Sequence, residues 1–294
     1  METRILKYFL TVAKLGTISA AARTLHVAQP TMSRQIQQLE EQLGTPLFIR
    51  ERRRMVLTKA GLAYQLRVEQ ILAELDRANQ VVATINNNEL TGQVGIGCVE
   101  SAITKFLVPL LNEFHQKYPQ VTFEMCDADG DLIKNRLDRG SLEIGIVSTP
   151  INAAKYHYLR LPLDDQWGIA VNQNSYFRNQ KTVNVSDLKG HPLIMPGRSL
   201  VYDEISDWLK AGEQELNVVA TYNLLTNAAY LAAAGLGDLI CIKDAPLPKS
   251  TNLTFIPLVP ERKLEHYLIW RKGISLSEPA QRLVNLLHSQ LTTQ

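Results

Sequence analysis

Residues 18–44 constrain the fold most, because their pattern requires two short helices joined by a tight turn. Three alanines follow Ser19, a residue type that favours the N-cap of a helix. Pro30 stands in the expected first turn of the second helix, where its missing N–H costs nothing. Apolar residues then recur at helical spacing, at Ile36, Leu39 and Leu43. The pattern predicts a helix-turn-helix whose second helix can enter the major groove of DNA.

The other faces of the second helix carry an unusual set of polar side chains. Solvated helix faces usually favour pairs of Lys and Glu, whereas hydroxyl, amide and guanidinium groups hydrogen-bond base edges and phosphates. The residues of this motif that we expect to contact DNA are Ser19, Gln29, Pro30, Thr31, Ser33, Arg34 and Gln37. Taken alone, the motif leaves an alternative open, a helical hairpin whose polar residues are merely solvated.

A basic tip follows between two short apolar segments, 46–49 and 55–57, which predicts a wing of two strands. The wing residues expected to contact DNA are Arg50, Arg52, Arg53 and Arg54. Residues 1–60 hold 10 Lys and Arg against 4 Asp and Glu, a net charge of +6, whereas the remainder holds 21 against 25, a net charge of −4. This asymmetry is typical of a basic DNA-binding head on a domain that avoids DNA.

A long helix is predicted from Thr58, a candidate N-cap, to about residue 87, with no Gly or Pro after Gly61. Its apolar positions include Leu62, Leu66, Ile71, Leu72, Leu75, Ala78, Val82 and Ile85. So long a stripe favours pairing with the same helix of a second subunit. Packing against its own chain is the alternative.

From Gly92 onward, short strands alternate with helices, which predicts a parallel α/β sheet over residues 93–147 and a second set over 188–242. Segments 159–162, 167–171 and 266–270 are interpreted as strands that cross between two lobes with a cleft between them. The predicted domains are a head at 1–58, a linker helix at 59–89 and a ligand-binding domain at 90–294. Within the last, lobe I takes about 90–161 and 267–294, and lobe II about 162–266.

The cleft is the candidate binding site, because ligands in α/β sheets bind beyond the carboxyl ends of strands, where helix N-termini offer free N–H groups. Ser101 and Thr149 follow strands of the first lobe, Arg198 follows a strand of the second, and Thr226 opens a helix. Hydroxyls at helix starts together with one arginine suit a small anionic molecule. An ordinary N-cap explains each hydroxyl taken singly.

The sequence contains little support for a catalytic, dinucleotide-binding or metal-binding site. The six histidines form no HExxH pattern, no serine stands in GxSxG, and Gly95-Ile96-Gly97 lacks the third glycine of a dinucleotide fingerprint. Asp127, Asp129 and Asp131 alternate but lack the rest of a calcium loop. We therefore expect no catalytic residue, no metal site and no cofactor.

The cellular setting is expected to be a reducing cytoplasm. The three cysteines, Cys98, Cys126 and Cys241, are odd in number and far apart, which suits buried thiols better than disulfides or zinc. The amino terminus is too charged for a signal peptide, and no apolar run approaches the roughly 20 residues that span a bilayer.

Several motifs stand in a familiar order and spacing: FLTVAKLGT at 9–17, SAAARTL at 19–25, QPTMSRQI at 29–36, LEEQLG at 39–44, PLFIR at 46–50 and LTKAG at 57–61. Looser matches follow at 108–119, 137–146 and 232–237. With these motifs the chain resembles the LysR-type transcriptional regulators. That family commonly has Asp and a small aliphatic residue where this chain has Glu143 and Asp238.

The resemblance implies a winged helix-turn-helix head, a dimerising linker helix and a two-lobed α/β domain of the periplasmic-binding-protein type. It also implies a regulator whose DNA geometry is switched by a small metabolite. The expected partners are operator DNA, the effector, copies of the same chain in a homodimer or homotetramer, and RNA polymerase, with no membrane. The resemblance adds Ala102, Gly197 and Tyr202 to the expected effector site. The alternative function is a cytoplasmic small-molecule-binding protein or an enzyme with the same two-lobed domain.

Overall fold

The computed structural model describes residues 2–51, 54–87, 90–197, 199–209 and 216–292. The chain separates into two compact units, of which the first is residues 1–87 with the short segment 138–141. The second unit comprises the remaining residues and contains the large sheet.

Three helices form the core of the first unit: α1 (Thr3–Leu15), α2 (Ile18–Thr24) and α3 (Gln29–Leu43). Gly16 and Gly44 end α1 and α3 in the left-handed region, at φ of 69° and 65°. Glycine favours this conformation because it has no Cβ. Phe9, Val12 and Met32 are fully buried where the three helices meet. The predicted helix-turn-helix is therefore confirmed.

The N-cap of α2 was predicted at Ser19, and this prediction was wrong. The helix begins at Ile18, and the Oγ1 of Thr17 accepts a hydrogen bond from the Ala20 N–H at 3.2 Å. Thr17 has the extended backbone of an N-cap, at φ −148° and ψ 141°, which places Ser19 inside the first helical turn.

The wing is an antiparallel pair of strands, β1 (Phe48–Glu51) and β2 (Arg54–Leu57). The long helix α4 (Lys59–Asn87) follows directly. Thr58 is its N-cap, as predicted, since Thr58 Oγ1 accepts the Gly61 N–H at 2.9 Å. The same hydroxyl donates to the carbonyl oxygen of Pro46 at 2.9 Å, so it also joins α4 to the chain that enters the wing.

The first lobe of the second unit alternates strands and helices as the sequence predicted. Its elements are β3 (Gly92–Cys98), α5 (Ile103–Lys117), β4 (Val121–Asp127), α6 (Gly130–Arg139) and β5 (Ile144–Ser148). Strand β3 pairs in parallel with both β4 and β5. Val94, Ile103 and Phe114 are buried in the core of this lobe.

The second lobe repeats the pattern and then returns to the first. Its elements are β6 (Tyr156–Val171), β7 (Val183–Asn184), β8 (Leu193–Pro196), α7 (Ser199–Leu209), β9 (Val218–Tyr222), α8 (Leu225–Ala233), β10 (Asp238–Ile242), β11 (Thr254–Val259), β12 (Lys263–Arg271) and the terminal helix α9 (Glu278–Thr292). Phe177, Leu193 and Ile205 lie in the core of this lobe, whereas α9 packs on the core of the first.

Two long strands join the lobes into one sheet of order β4-β3-β5-β12-β6-β10-β8-β9. Strand β12 pairs with β5 on one side and with β6 on the other. The far end of β6 pairs with β10 and β11 of the second lobe. The sequence predicted two separate segments at 159–162 and 167–171, but the structure has one strand of 16 residues that spans both.

Candidate functional site

Five of the residues expected to contact DNA line one depression of about 260 Å³ on the first unit. They are Ser19, Gln29, Ser33, Arg50 and Arg54. The start of α3 and the two arms of the wing meet there, and the Met55 N–H donates to the Gly16 carbonyl oxygen at 2.7 Å. This bond ties the wing to the end of α1, and Arg50 and Arg54 lie beside the start of the helix expected to enter the groove.

The other expected DNA contacts are four residues of α3, together with Arg52 and Arg53. Pro30, Thr31, Arg34 and Gln37 are exposed on α3. The Gln37 amide donates to the Glu41 carboxylate at 3.0 Å, so its side chain is held along the helix. Arg52 and Arg53 lie outside the described residues.

Glu40 is a residue of this region that the sequence reasoning missed. Its Oε1 accepts the backbone N–H groups of Leu47 and Phe48, at 2.7 and 2.9 Å. One half-buried carboxylate on α3 thereby fixes the point where the chain enters the wing. Helical spacing places Glu40 on a polar face, and nothing in that spacing indicates that its partners lie seven and eight residues further on.

A cavity of about 660 Å³ lies in the second unit, where the predicted cleft is. Ser148 at the end of β5, Gly197 just after β8 and Tyr222 at the end of β9 line it. Trp167 of β6 and His266 of β12 contribute from the two crossing strands. The cavity therefore lies at the carboxyl ends of strands from both lobes, the position that α/β sheets use for ligands.

Side chains of the protein already accept hydrogen bonds from backbone N–H groups at the helix starts around the cavity. Ser101 Oγ accepts the Ile103 N–H at 3.2 Å, and Asp129 Oδ1 accepts two N–H groups at the start of α6, at 3.0 and 2.9 Å. Glu100 Oε2 accepts the N–H of Leu225, the first residue of α8, at 2.6 Å. Because Glu100 follows β3 and α8 belongs to the second lobe, this hydrogen bond joins the two lobes across the cavity.

Of the residues expected in the effector site, Ser101 and Gly197 lie on the cavity wall. Ala102, Thr149, Tyr202 and Thr226 are not part of the described lining, and Arg198 lies outside the described residues. Tyr202 packs against the core of the second lobe. The Thr149 N–H donates to the Glu265 carbonyl oxygen at 3.1 Å.

The ionisable lining is acidic over the described residues. It consists of Glu100, Asp129, Asp131, Tyr222 and His266. Burial raises the pKa of Tyr222 well above its ordinary value, so this phenol stays neutral, and its hydroxyl donates to the Ile240 carbonyl oxygen at 2.9 Å. An anion about 5 Å from one carboxylate is repelled by roughly 3 kcal/mol at an effective dielectric constant of about 20. The described lining therefore lends no support to the anionic ligand expected from the helix-start hydroxyls together with Arg198.

His266 and Asp165 form a buried pair that the sequence reasoning also missed. They are 0% and 3% exposed, and His266 Nε2 lies 2.7 Å from Asp165 Oδ2. The other ring nitrogen of His266, Nδ1, is buried without a hydrogen-bond partner. Within the described ranges, no group of three or more His, Cys, Asp and Glu side chains is placed to hold a metal ion. No described helix has the length and apolar character needed to cross a bilayer.

Comparison with known proteins covers both units. Residues 3–62 match the model of the bacterial regulatory helix-turn-helix protein of the lysR family, and residues 87–292 match the LysR substrate binding domain. The transcriptional regulator BudR of Raoultella terrigena is 27% identical over 277 residues, which cover 92% of this chain and 95% of BudR. The regulator AlsR of Bacillus subtilis is 28% identical over 240 residues, 81% of this chain and 79% of AlsR.

Solved structures show the same architecture over nearly the whole chain. Full-length CbnR in complex with its target DNA superposes with a TM-score of 0.72 at 26% identity, covering 98% of this chain and 99% of CbnR. Full-length OxyR of Pseudomonas aeruginosa, at 20% identity and a TM-score of 0.64, shares the fold. The helix-turn-helix with its wing, the two-lobed domain with its cavity and the two family matches together establish that this chain belongs to the LysR family of DNA-binding transcription regulators, which carry an effector-binding domain.

Proposed function

We propose that the depression beside α3 is where this regulator contacts its operator, with α3 in the major groove and the wing on the adjacent backbone. Support comes from the grouping of Gln29, Ser33, Arg50 and Arg54 around one depression. Amide and hydroxyl groups at a helix start suit base edges and phosphates, and arginines beside them suit phosphates. Pro30, Thr31, Arg34 and Gln37 extend the same exposed surface along α3.

The second part of the proposal is that the active form is a dimer through α4, assembled further into a tetramer. Ile71 and Leu75 are 48% and 40% exposed on that helix, although both are large apolar side chains four residues apart on one face. An apolar stripe left in water along a long helix is the kind of surface that a second copy of the helix covers. Two heads brought together in this way would read a roughly palindromic operator.

The third part assigns the cavity of the second unit to the effector. A cavity of about 660 Å³ is of the size that holds a small metabolite. The observation that carries the assignment is that both lobes line it and that Glu100 joins them across it. A ligand that binds there and prefers one arrangement of the lobes shifts the equilibrium between assemblies with different DNA geometry.

A footprinting experiment with two matched variants tests this assignment. Asn223 is exposed on the cavity wall, whereas Asn227 is exposed on α8 away from it. The small-molecule fraction of the host's cell extract is added to the full-length protein on its operator. We expect it to change the footprint length or the DNA bend for the wild type and Asn227→Trp, and not for Asn223→Trp. Equal responses of both variants would show that the effector binds elsewhere.

The proposal includes action in the cytoplasm, contact with RNA polymerase at the promoter and no enzymatic activity. The named relatives are transcriptional regulators, which supports a regulatory role throughout. Three polar side chains of the cavity, those of Ser101, Asp129 and Glu100, are engaged with backbone N–H groups at helix starts, which suits ligand binding better than turnover.

A further inference from the structure

The effector cavity contains a buried histidine whose second nitrogen has no partner. His266 is fully buried on the cavity wall, and its Nε2 lies 2.7 Å from the carboxylate of Asp165. Its Nδ1 is a buried side-chain atom without a hydrogen bond, and in the described part of the chain no other cavity-lining side chain has such an atom. Buried polar atoms without partners are rare because they cost free energy, so each requires an explanation.

Strand pairing on both sides of His266 sets the direction of its side chain. On one side His266 is paired with Ser148 of β5, which also lines the cavity. On the other side the register between β12 and β6 shifts between Glu265 and Tyr267, so His266 lies at a bulge. Bulges redirect a side chain locally and are frequent next to binding sites.

Asp165 sets what the ring can offer to a ligand. An ionised carboxylate accepts hydrogen bonds and donates none. The contact with Asp165 therefore places a proton on Nε2 of His266. The neutral ring then has a lone pair on Nδ1 and accepts a hydrogen bond, whereas the protonated ring donates one. A ligand hydroxyl can satisfy either form, because it both donates and accepts.

The rest of the lining points to the same kind of ligand. The carboxylates of Glu100 and Asp129 accept backbone N–H groups and keep further lone pairs for ligand hydroxyls, while they repel an anion. Trp167, Val201 and Leu264 supply apolar surface on the same cavity. Resting on the proposed effector cavity, we infer that His266, positioned by Asp165, recognises a hydroxyl group of a small effector without net negative charge.

The test compares uncharged polyols with their carboxylate counterparts: glycerol, erythritol and xylitol against glycerate, erythronate and xylonate. Full-length protein labelled with ¹⁵N-histidine is titrated with each compound up to 50 mM. The His266 signals are identified by their loss in His266→Phe. We expect at least one polyol to move the Nδ1 resonance of His266. We also expect His266→Phe to weaken calorimetric binding of that polyol at least tenfold.

His157→Phe is the matched control, since His157 is exposed on β6 and outside the cavity lining. It should leave polyol affinity unchanged. Asp165→Asn tests the positioning role of Asp165. The hydrogen bond from Nε2–H to an amide is weaker than that to a carboxylate, so the two ring tautomers should mix. The two ¹⁵N shifts of His266 should then move closer together. If His266→Phe does not fold, single substitutions of the other five histidines assign the His266 signals by exclusion, and the wild-type titration still decides the matter.

Each negative outcome has a distinct meaning. This inference is overturned if the carboxylates bind, if Asn223→Trp abolishes their binding and if His266→Phe does not change their affinity. The assignment of the cavity to the effector would survive that result. Polyols that bind equally well to Asn223→Trp overturn both. If no polyol binds or moves the Nδ1 resonance at 50 mM, the inferred ligand class is wrong.

Discussion

Replacing Glu40 with alanine should loosen the wing without affecting the second unit. The substitution removes the acceptor of two backbone N–H groups, those of Leu47 and Phe48, at 2.7 and 2.9 Å. Hydrogen bonds to a charged group contribute about 1.5–3 kcal/mol each, and partial exposure of Glu40 favours the lower end. Because the two bonds share one oxygen, we expect a combined loss of about 2–3 kcal/mol in the local opening free energy of the wing.

Hydrogen exchange of the full-length protein measures this loss directly. A change of about 2–3 kcal/mol accelerates exchange of the Leu47 and Phe48 amides roughly 30- to 150-fold. The tryptophans provide an internal control, since Trp167, Trp208 and Trp270 all lie in the second unit. Their fluorescence during urea unfolding should report an unchanged midpoint for that unit.

Glu41→Ala is the matched substitution on the same helix. Glu41 is exposed, and its contact is a side-chain bond with the Gln37 amide at 3.0 Å, so its loss should stay within about 0.5 kcal/mol. Operator affinity should fall in Glu40→Ala because the wing loses its fixed position, and should change little in Glu41→Ala. Unchanged exchange of the Leu47 and Phe48 amides in Glu40→Ala would refute the role given to this carboxylate.

Three further predictions follow from other parts of the chain. Arg34→Ala should weaken operator binding by about 1–3 kcal/mol in gel-shift titrations, because an exposed α3 guanidinium suits bidentate recognition. Leu75→Asp should shift sedimentation toward the monomer, because it places an unpaired charge in the exposed apolar stripe of α4. Burial raises the pKa of the Cys98 thiol to about 11, so iodoacetamide at pH 8 should modify half-buried Cys126 and leave Cys98 intact by peptide mass.

Local signals explain why the first unit was predictable from the sequence. The end of the helix-turn-helix at Gly44, the start of α4 at Thr58 and the position of Pro30 all depend on neighbours within a few residues. Caps and left-handed glycines act through the backbone nearby, so a pattern reveals them without knowledge of tertiary contacts. The wing followed from the same reasoning, because two short apolar segments flank its basic tip.

Contacts between distant residues explain what the sequence did not reveal. The sequence predicted two segments, 159–162 and 167–171, although β6 continues without a break between them. Pro162 stands where the register with β12 shifts, and a bulge tolerates a residue that has no N–H to donate. Asp165 and His266 are 101 positions apart, and Glu100 and Leu225 are 125 apart. No periodicity within one helix or strand indicates that such residues meet.

Glu143, where the resemblance to the family led us to expect an aspartate, has a structural role at the start of α9. The two carboxylate oxygens of Glu143 accept the N–H and the hydroxyl of Ser277, at 2.7 and 3.0 Å. Ser277 Oγ in turn accepts the Ala280 N–H at 3.3 Å, so the serine caps the helix while the glutamate holds the serine. An aspartate is shorter by one carbon–carbon bond, about 1.5 Å, and would not reach both atoms from the same backbone position. The longer side chain therefore serves the packing of α9 on the first lobe, and Glu143 is not among the described residues that line the cavity of the second unit.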